Sequence, residues 1–181
     1  MREIFLFMMT SLDGYFEGKD HDISWHNVDA EFNVFANAQL DEADTLVFGR
    51  KTYELMAGYW PTQAARDEPS EIARRMNAMN KIVFSSQPLN PAWKLTTAST
   101  DIKILDDIKR QSGKSIAVLG SSNLCVSLLE EGLLDEVRVM VNPVVLGKGT
   151  PLFEGINNLA KFRLISTRTF KSGNVLLRYS T

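Results

Sequence analysis

Cysteine and histidine are scarce in this chain, and neither sign of charge dominates it. The single cysteine, Cys125, leaves no partner for an internal disulfide or a paired-thiol metal site, which fits a reducing compartment and a cytoplasmic location. A formal net charge of −2 over 181 residues argues against nucleic acid or an anionic membrane surface as the general partner. No apolar run approaches the roughly 20 residues that a bilayer-spanning helix needs. The opening Met1-Arg-Glu-Ile-Phe-Leu-Phe-Met-Met is too short, and too soon polar, for a signal peptide. There is no internal repeat, low-complexity tract or Gly/Ser-rich linker. With 44% hydrophobic and 23% charged residues, the chain has enough apolar material for a sizeable core, and residues 1–181 read as one domain.

What is present alternates between strand and helix patterns. Residues 4–9 form a continuous apolar run, as expected of a strand covered on both faces. A polar stretch from Ser11 to Asn27 reads as a loop, after which Val28, Phe32, Phe35 and Ala36 recur at helical spacing. Strands are expected at 45–48, 81–84, 95–97, 115–119 and 137–141, with helices at 50–57, from Pro69, at 102–109 and around Leu124–Leu129. Residues 61–68 read as loop, and Gly113 and Gly132 as helix stops. Residues 162–170 and 175–179 flank Lys171-Ser-Gly-Asn as an antiparallel hairpin. The implied fold is a three-layer α/β/α arrangement, a mixed and mainly parallel sheet that ends in that hairpin.

Ligands in such a fold bind beyond the carboxyl ends of the strands. Two strand-to-helix junctions there stand out. Thr45-Leu-Val-Phe-Gly-Arg-Lys-Thr runs from a strand through Gly49 into a helix start, where unpaired N–H groups favour a phosphate and Arg50 and Lys51 add fixed positive charge. A second anionic group, such as a ribose 2′-phosphate, would account for that cationic pair; a solvated first turn is the plainer alternative. The other junction, Gly120-Ser-Ser-Asn, offers small and hydroxyl residues, although Ser121 and Ser122 could simply cap their helix. A long phosphorylated cofactor could bridge the two.

Other signatures fail. Gly113-Lys-Ser resembles a P-loop end, but position 108 is Ile and a strand follows. Gly147-Lys-Gly lacks the third glycine of a dinucleotide fingerprint, since position 152 is Leu. Gly120-Ser-Ser-Asn-Leu lacks the last glycine of a nucleophile elbow, and both histidines precede the serine, which excludes that type of hydrolase. Asp20, His21, Asp22 and His26 could chelate a metal, but their loop spacing is unspecific and no metal is expected. Cys125 lies on an apolar helix face and reads as a packed thiol. Among the acids, Asp29 stands at the first helix start, where a carboxyl could bond a flat heterocycle and relay a proton, or merely favour the helix dipole. Glu31 shares that ambiguity. Asp13 and Tyr15 could line the cleft or make a turn with Gly14.

These residues together carry a resemblance. Thr10-Ser-Leu-Asp-Gly-Tyr-Phe, Phe48-Gly-Arg-Lys-Thr-Tyr-Glu, Lys81-Ile-Val-Phe-Ser-Ser-Gln, Ala117-Val-Leu-Gly-Ser-Ser-Asn-Leu, Gly132-Leu-Leu-Asp-Glu-Val and Pro143-Val-Val-Leu-Gly-Lys-Gly-Thr-Pro-Leu-Phe occur in that order. The set resembles the dihydrofolate reductase-like superfamily, and more closely the reductase domain of bacterial riboflavin biosynthesis and its stand-alone relatives. The resemblance implies NADPH-dependent reduction of a C=N or C=O group in a pyrimidine- or pterin-like substrate. It assigns the 2′-phosphate to Arg50 and Lys51 with Ser85 and Ser86 nearby, and the pyrophosphate to Gly49, Thr52 and the Gly120–Ser122 turn with Leu124. It makes Asp29 the proton source, directly or through water, and implies a homodimer. Ser121 stands where the family has the second glycine of a pair whose peptide is cis in relatives, and Asp29 lies one residue closer to Trp25 than the family pattern. Neither H-x-E nor P-C-x-x-C occurs, so a riboflavin role would need a separate deaminase. Two readings from other classes stay beside the enzyme: a nucleotide- or planar-ligand-binding protein that has lost catalysis, and an oligomerisation module.

Overall fold

A computed structural model of the chain describes residues 1–63, 65 and 71–181. In chain order its elements are β1 (Ile4–Thr10), β2 (Tyr15–Glu17), α1 (Ala30–Asp41), β3 (Ala43–Gly49), α2 (Arg50–Tyr59), α3 (Ile72–Ala78), β4 (Asn80–Phe84) and β5 (Thr96–Ser99). They continue with α4 (Ile104–Arg110), β6 (Ser115–Val118), α5 (Ser122–Glu130), β7 (Glu136–Val141), β8 (Thr150–Pro151), β9 (Arg163–Thr169) and β10 (Val175–Ser180). Eight strands lie side by side in the order β5-β4-β3-β6-β1-β7-β10-β9. The first six are parallel, whereas β10 runs antiparallel to β7 and to β9.

The apolar runs of the inner strands follow from cover on both faces. Successive side chains of a strand point to opposite sides. Ile4, Leu6 and Met8 therefore join Val47, Ile116 and Val118 under Leu105 of α4 and Leu124, Cys125 and Leu128 of α5. Phe5 faces the other way with Leu46, Phe48 and Ala117, against Leu40, Tyr53, Ile72 and Met76 of α1 to α3. Met9, Phe35, Met140, Phe170 and Leu176 form a smaller cluster where α1 meets the hairpin. A polar side chain at any of these positions would face hydrocarbon on its side, so alternation is absent from the strands themselves.

The expected elements are present with shifted ends. Helix α2 continues to Tyr59 and α1 begins at Ala30, leaving Val28 ahead of it and 54% exposed. The segment 11–27 is more than loop: β2 pairs with β8, and Lys19–His21 form a 3₁₀ turn. Of the loop expected at 61–68, residues 61 and 62 are irregular while 63 and 65 are helical; the other four, like the helix start expected at Pro69, lie outside the described residues.

The topology brings two helix starts together. The chain leaves β1, lays β3 one position away and later fills the gap with β6. At the carboxyl edge, β3 and β6 are therefore neighbours, and each leads almost at once into a helix. A ligand crevice belongs at such a change of order.

Candidate functional site

The two glycine junctions touch. Gly49 N–H donates to the carbonyl of Gly120 at 2.8 Å, which joins the foot of α2 to the foot of α5. The Gly120–Ser121 peptide is cis. A Cβ on Gly49 would come within 2.5 Å of Ser121 Oγ and 3.1 Å of Ser121 N, so any larger residue there would have to displace Ser121. Gly120 has φ +113, in the region open to glycine, and a Cβ there would lie 3.0 Å from Thr52 Oγ1. Gly49, Thr52, Gly120 and Ser121 thus form one contact.

Among the described residues, no side chain caps either helix start. Gly49 has none to offer α2, and Ser121, although it holds the N-cap position of α5, makes no capping hydrogen bond. The capping role open to Ser121 in the sequence is therefore not the one its hydroxyl takes. That hydroxyl lies instead against Gly49. Ser122 is buried, and the Leu124 side chain is in the core, so only the backbone of Leu124 belongs to the helix start. The first turns of two helices, with N–H groups lacking helical acceptors, face one region. Such a region attracts oxyanions.

The positive charge stands beside it. Arg50 and Lys51 open α2, which has no acid in its first turn. Arg50 Nε donates to Glu54 Oε1 at 2.8 Å, and its Nη groups have no partner among the described residues. Two cations at the positive end of a helix oppose its macrodipole, an arrangement that an anion relieves. Gly49 pairs with Phe84 across β3 and β4, so Ser85 and Ser86 follow at the neighbouring strand end. The Ser85 hydroxyl bonds the backbone of Gln87, and Ser86 is exposed.

Asp29 belongs to a separate element. It caps α1, where its Oδ1 accepts from Phe32 N at 2.7 Å. Glu31 accepts from Lys171 N and from Arg168, and the Lys171 N–H chiefly holds its carboxyl below the usual range. Just ahead of Asp29, Asn27 N donates to Asn142 Oδ1 and Asn27 Nδ2 to the Ser172 carbonyl, while Asn174 Nδ2 donates to the Asn27 carbonyl. These asparagines fix the entry to α1 against the sheet and the hairpin turn. They carry no sequence signal, because each bond spans more than a hundred residues.

Asp13 ties loops together rather than standing free. Its two oxygens accept from Leu146 N and Gly147 N; the Ser11 hydroxyl first, and then these N–H groups, hold its carboxyl down at about 2. A cleft of about 400 Å³ opens beside it, lined by Thr10, Gly14, Val139, Leu152 and Phe153. His26 is packed edge-on to Trp25. Burial pushes its imidazole down to about 4, against a hydrogen bond to the Phe16 backbone and the charge of Asp22. Its Nε2 is enclosed without a hydrogen-bond partner among the described residues. Among the described residues, no group of three or more His, Cys, Asp or Glu side chains is placed to hold a metal ion. Nor is any described helix long and apolar enough to cross a membrane.

Known proteins resemble this chain in sequence and in fold. Residues 2–176 match the family profile of the RibD C-terminal domain. The uncharacterized protein YyaP of Bacillus subtilis is 32% identical over 181 residues, covering 98% of this chain and 94% of its own. Among solved structures, dihydrofolate reductase from Enterococcus faecalis, complexed with NADP(H), superposes with a TM-score of 0.65 at 18% identity over 98% of this chain and 95% of that one. The diaminohydroxyphosphoribosylaminopyrimidine deaminase/5-amino-6-(5-phosphoribosylamino)uracil reductase of Thermotoga maritima gives 0.69 at 17% identity, with 99% of this chain covering 56% of that one. Structural likeness at such identities concerns the fold alone, which this chain shares with dihydrofolate reductase. The sequence match is what decides membership, and by it this chain belongs to the RibD C-terminal domain family.

Proposed function

We propose that this protein is an NADPH-dependent reductase acting on a C=N or C=O group of a pyrimidine- or pterin-like substrate. The observation that carries the reading is the junction of two uncapped helix starts at Gly49 and Gly120, beside Arg50 and Lys51. A pyrophosphate presents two anionic groups, and this junction presents two helix ends within one contact. The Cβ-sized space at Gly49 and Gly120 is taken up by Ser121 and Thr52, so these glycines let the two helix feet pack against each other. Relatives add support: one neighbour of the fold is complexed with NADP(H), and another is a uracil-derivative reductase.

In this reading Arg50 and Lys51 hold the ribose 2′-phosphate, with Ser85 and Ser86 alongside. Thr52, Ser121, Ser122 and the backbone of Leu124 meet the pyrophosphate. When bound, the dihydronicotinamide supplies a hydride. The chain's own task is to place the acceptor, keep water out and deliver a proton. Asp29 is the group assigned to the proton, through Oδ2 or a water, since Oδ1 is engaged by Phe32 N. The reading extends to a homodimer in the cytoplasm; the edge strand β9, exposed along its length with Leu164 and Ile165 about half exposed, supports the pairing. A binding protein without turnover is the second reading, favoured by that engagement of Asp29 and by Ser121 in place of glycine.

Titration with NADPH and NADH, followed by nicotinamide fluorescence, tests the cofactor. NADPH should bind and NADH bind poorly, and Arg50→Ala should weaken NADPH by about 10- to 100-fold, the worth of a charge-assisted hydrogen bond. Binding of neither cofactor sinks the reductase. NADPH binding without oxidation against any pterin or pyrimidine acceptor leaves the second reading.

A further inference from the structure

The charge at the foot of α2 is not left at full strength. Glu54 stands one turn above Arg50 and takes its Nε at 2.8 Å, both side chains being roughly half exposed (49% and 41%). Helix stability does not ask for this pair. An arginine N-terminal to its glutamate is the weaker orientation at this spacing, and exposed pairs contribute about 0.3–0.5 kcal/mol at most. Lys51 has no ion pair among the described residues, so Glu54 leaves one net positive charge at this turn where Arg50 and Lys51 alone would place two.

Resting on the cofactor reading above, we infer that Glu54 sets how strongly the site prefers a phosphorylated cofactor, by competing with the ribose phosphate for Arg50. The carboxylate lies on one edge of the guanidinium, and a phosphate would engage the Nη edge, a few ångströms away. Two anions on one cation repel each other, more so when one is doubly charged. The same carboxylate is the kind of group that accepts a hydrogen bond from an unphosphorylated 2′-hydroxyl. Glu54 therefore lowers affinity for NADPH without lowering it for NADH. It is a positioning and selectivity residue, and acts through Arg50.

The test is Glu54→Gln, which keeps the shape and an acceptor for Nε while removing the charge. Dissociation constants for NADPH and NADH are measured by nicotinamide fluorescence for the wild type, Glu54→Gln, Arg50→Ala and the double variant, at low and high salt. NADPH should tighten by about 3- to 10-fold in Glu54→Gln at low salt, as expected for one charge at this range in a mostly aqueous setting. The gain should shrink at high salt, since screening shortens its reach. NADH should stay level or weaken. In the Arg50→Ala background the gain should vanish, because the coupling runs through that side chain. The inference is overturned by unchanged or weaker NADPH binding in Glu54→Gln. A parallel change in both cofactors overturns it too, since that marks an effect on the helix rather than on phosphate. If NADPH binds the wild type and weakens in Arg50→Ala while Glu54→Gln changes nothing, only this inference falls; if the wild type binds neither cofactor, the reductase reading falls with it.

Discussion

Gly49 and Ser121 show how far a single side chain decides the site. At Gly49 the Ser121 hydroxyl stands where a Cβ would go, and no larger residue could stand there without moving Ser121. A serine after Gly120 suggests either a cap or a crowded pyrophosphate, and sequence does not separate the two, because its orientation depends on a residue of another strand-helix unit. His26 carries a different consequence. Its imidazole is held neutral, with the proton affinity pushed down to about 4 from 6.5. Between those values the unfolded chain binds the proton and the folded chain does not, so stability falls as pH drops through the window and is level above it. We expect His26→Gln to lose about 2–3 kcal/mol less stability than the wild type on going from pH 7 to pH 4. That figure follows from about 1.4 kcal/mol for each pH unit between the two values, discounted for partial exposure. Urea unfolding at a series of pH values measures this. Parallel pH profiles for the two proteins would show that the ring is not held neutral.

Among the elements, α1 and α2 begin in opposite ways. Helix α1 is capped by Asp29, which the sequence placed only as an acid at the helix start, whereas the Gly-Arg-Lys opening of α2 has no side-chain cap. A helix whose N–H groups are satisfied by its own cap has less to offer a ligand, and an uncapped one has more. Asp29 can still serve twice, as cap through Oδ1 and as acid through Oδ2, and two substitutions separate these roles. Asp29→Ala should cost about 1 kcal/mol of stability through the lost cap, read from thermal or urea unfolding. Asp29→Asn keeps an N-cap acceptor and should leave stability nearly unchanged, yet abolish reduction of any acceptor that needs the proton. Full activity in Asp29→Asn would remove Asp29 from the chemistry. The β2–β8 pair was not legible: two or three residues carry no periodic signal, and pairing so short exists only because β1 and residues 143–149 bring the segments together.

Across the whole molecule, the opposite edge of the sheet holds an ionic group built on the buried Glu136 and Arg138. Glu136 accepts from both Arg138 and Arg178, and Arg138 also reaches Glu42 and lies over the ring of Phe5. Burial pushes the Glu136 carboxyl up, but the bonds and charges of Arg178 and Arg138 outweigh it and hold it below its ordinary value. This group joins β7, β10 and the end of α1, so it locks the hairpin to the parallel sheet. Arg138→Met should cost about 3–5 kcal/mol in urea unfolding, since it strips one partner from a buried carboxylate. A loss below about 1 kcal/mol would mean that Arg178 alone satisfies Glu136. The strand patterns announced a parallel sheet because burial on both faces leaves no room for polar alternation. They did not announce the order of its strands.

By itself, the sequence determined the types of the longer elements, the glycines that open two helices, the cationic first turn of α2 and an acid at the start of α1. Each depends on neighbours within a turn or on burial common to a whole strand, and such information is local. Tertiary structure alone decided that β6 enters between β3 and β1, so that Gly49 meets Gly120, Thr52 faces their junction and the Ser121 hydroxyl turns away from its own helix. The same holds for Asn27, Asn142 and Asn174, and for Asp13 at Leu146 and Gly147. These contacts join residues far apart in the chain, and their energies arise only once the sheet has placed both partners, so no local pattern records them.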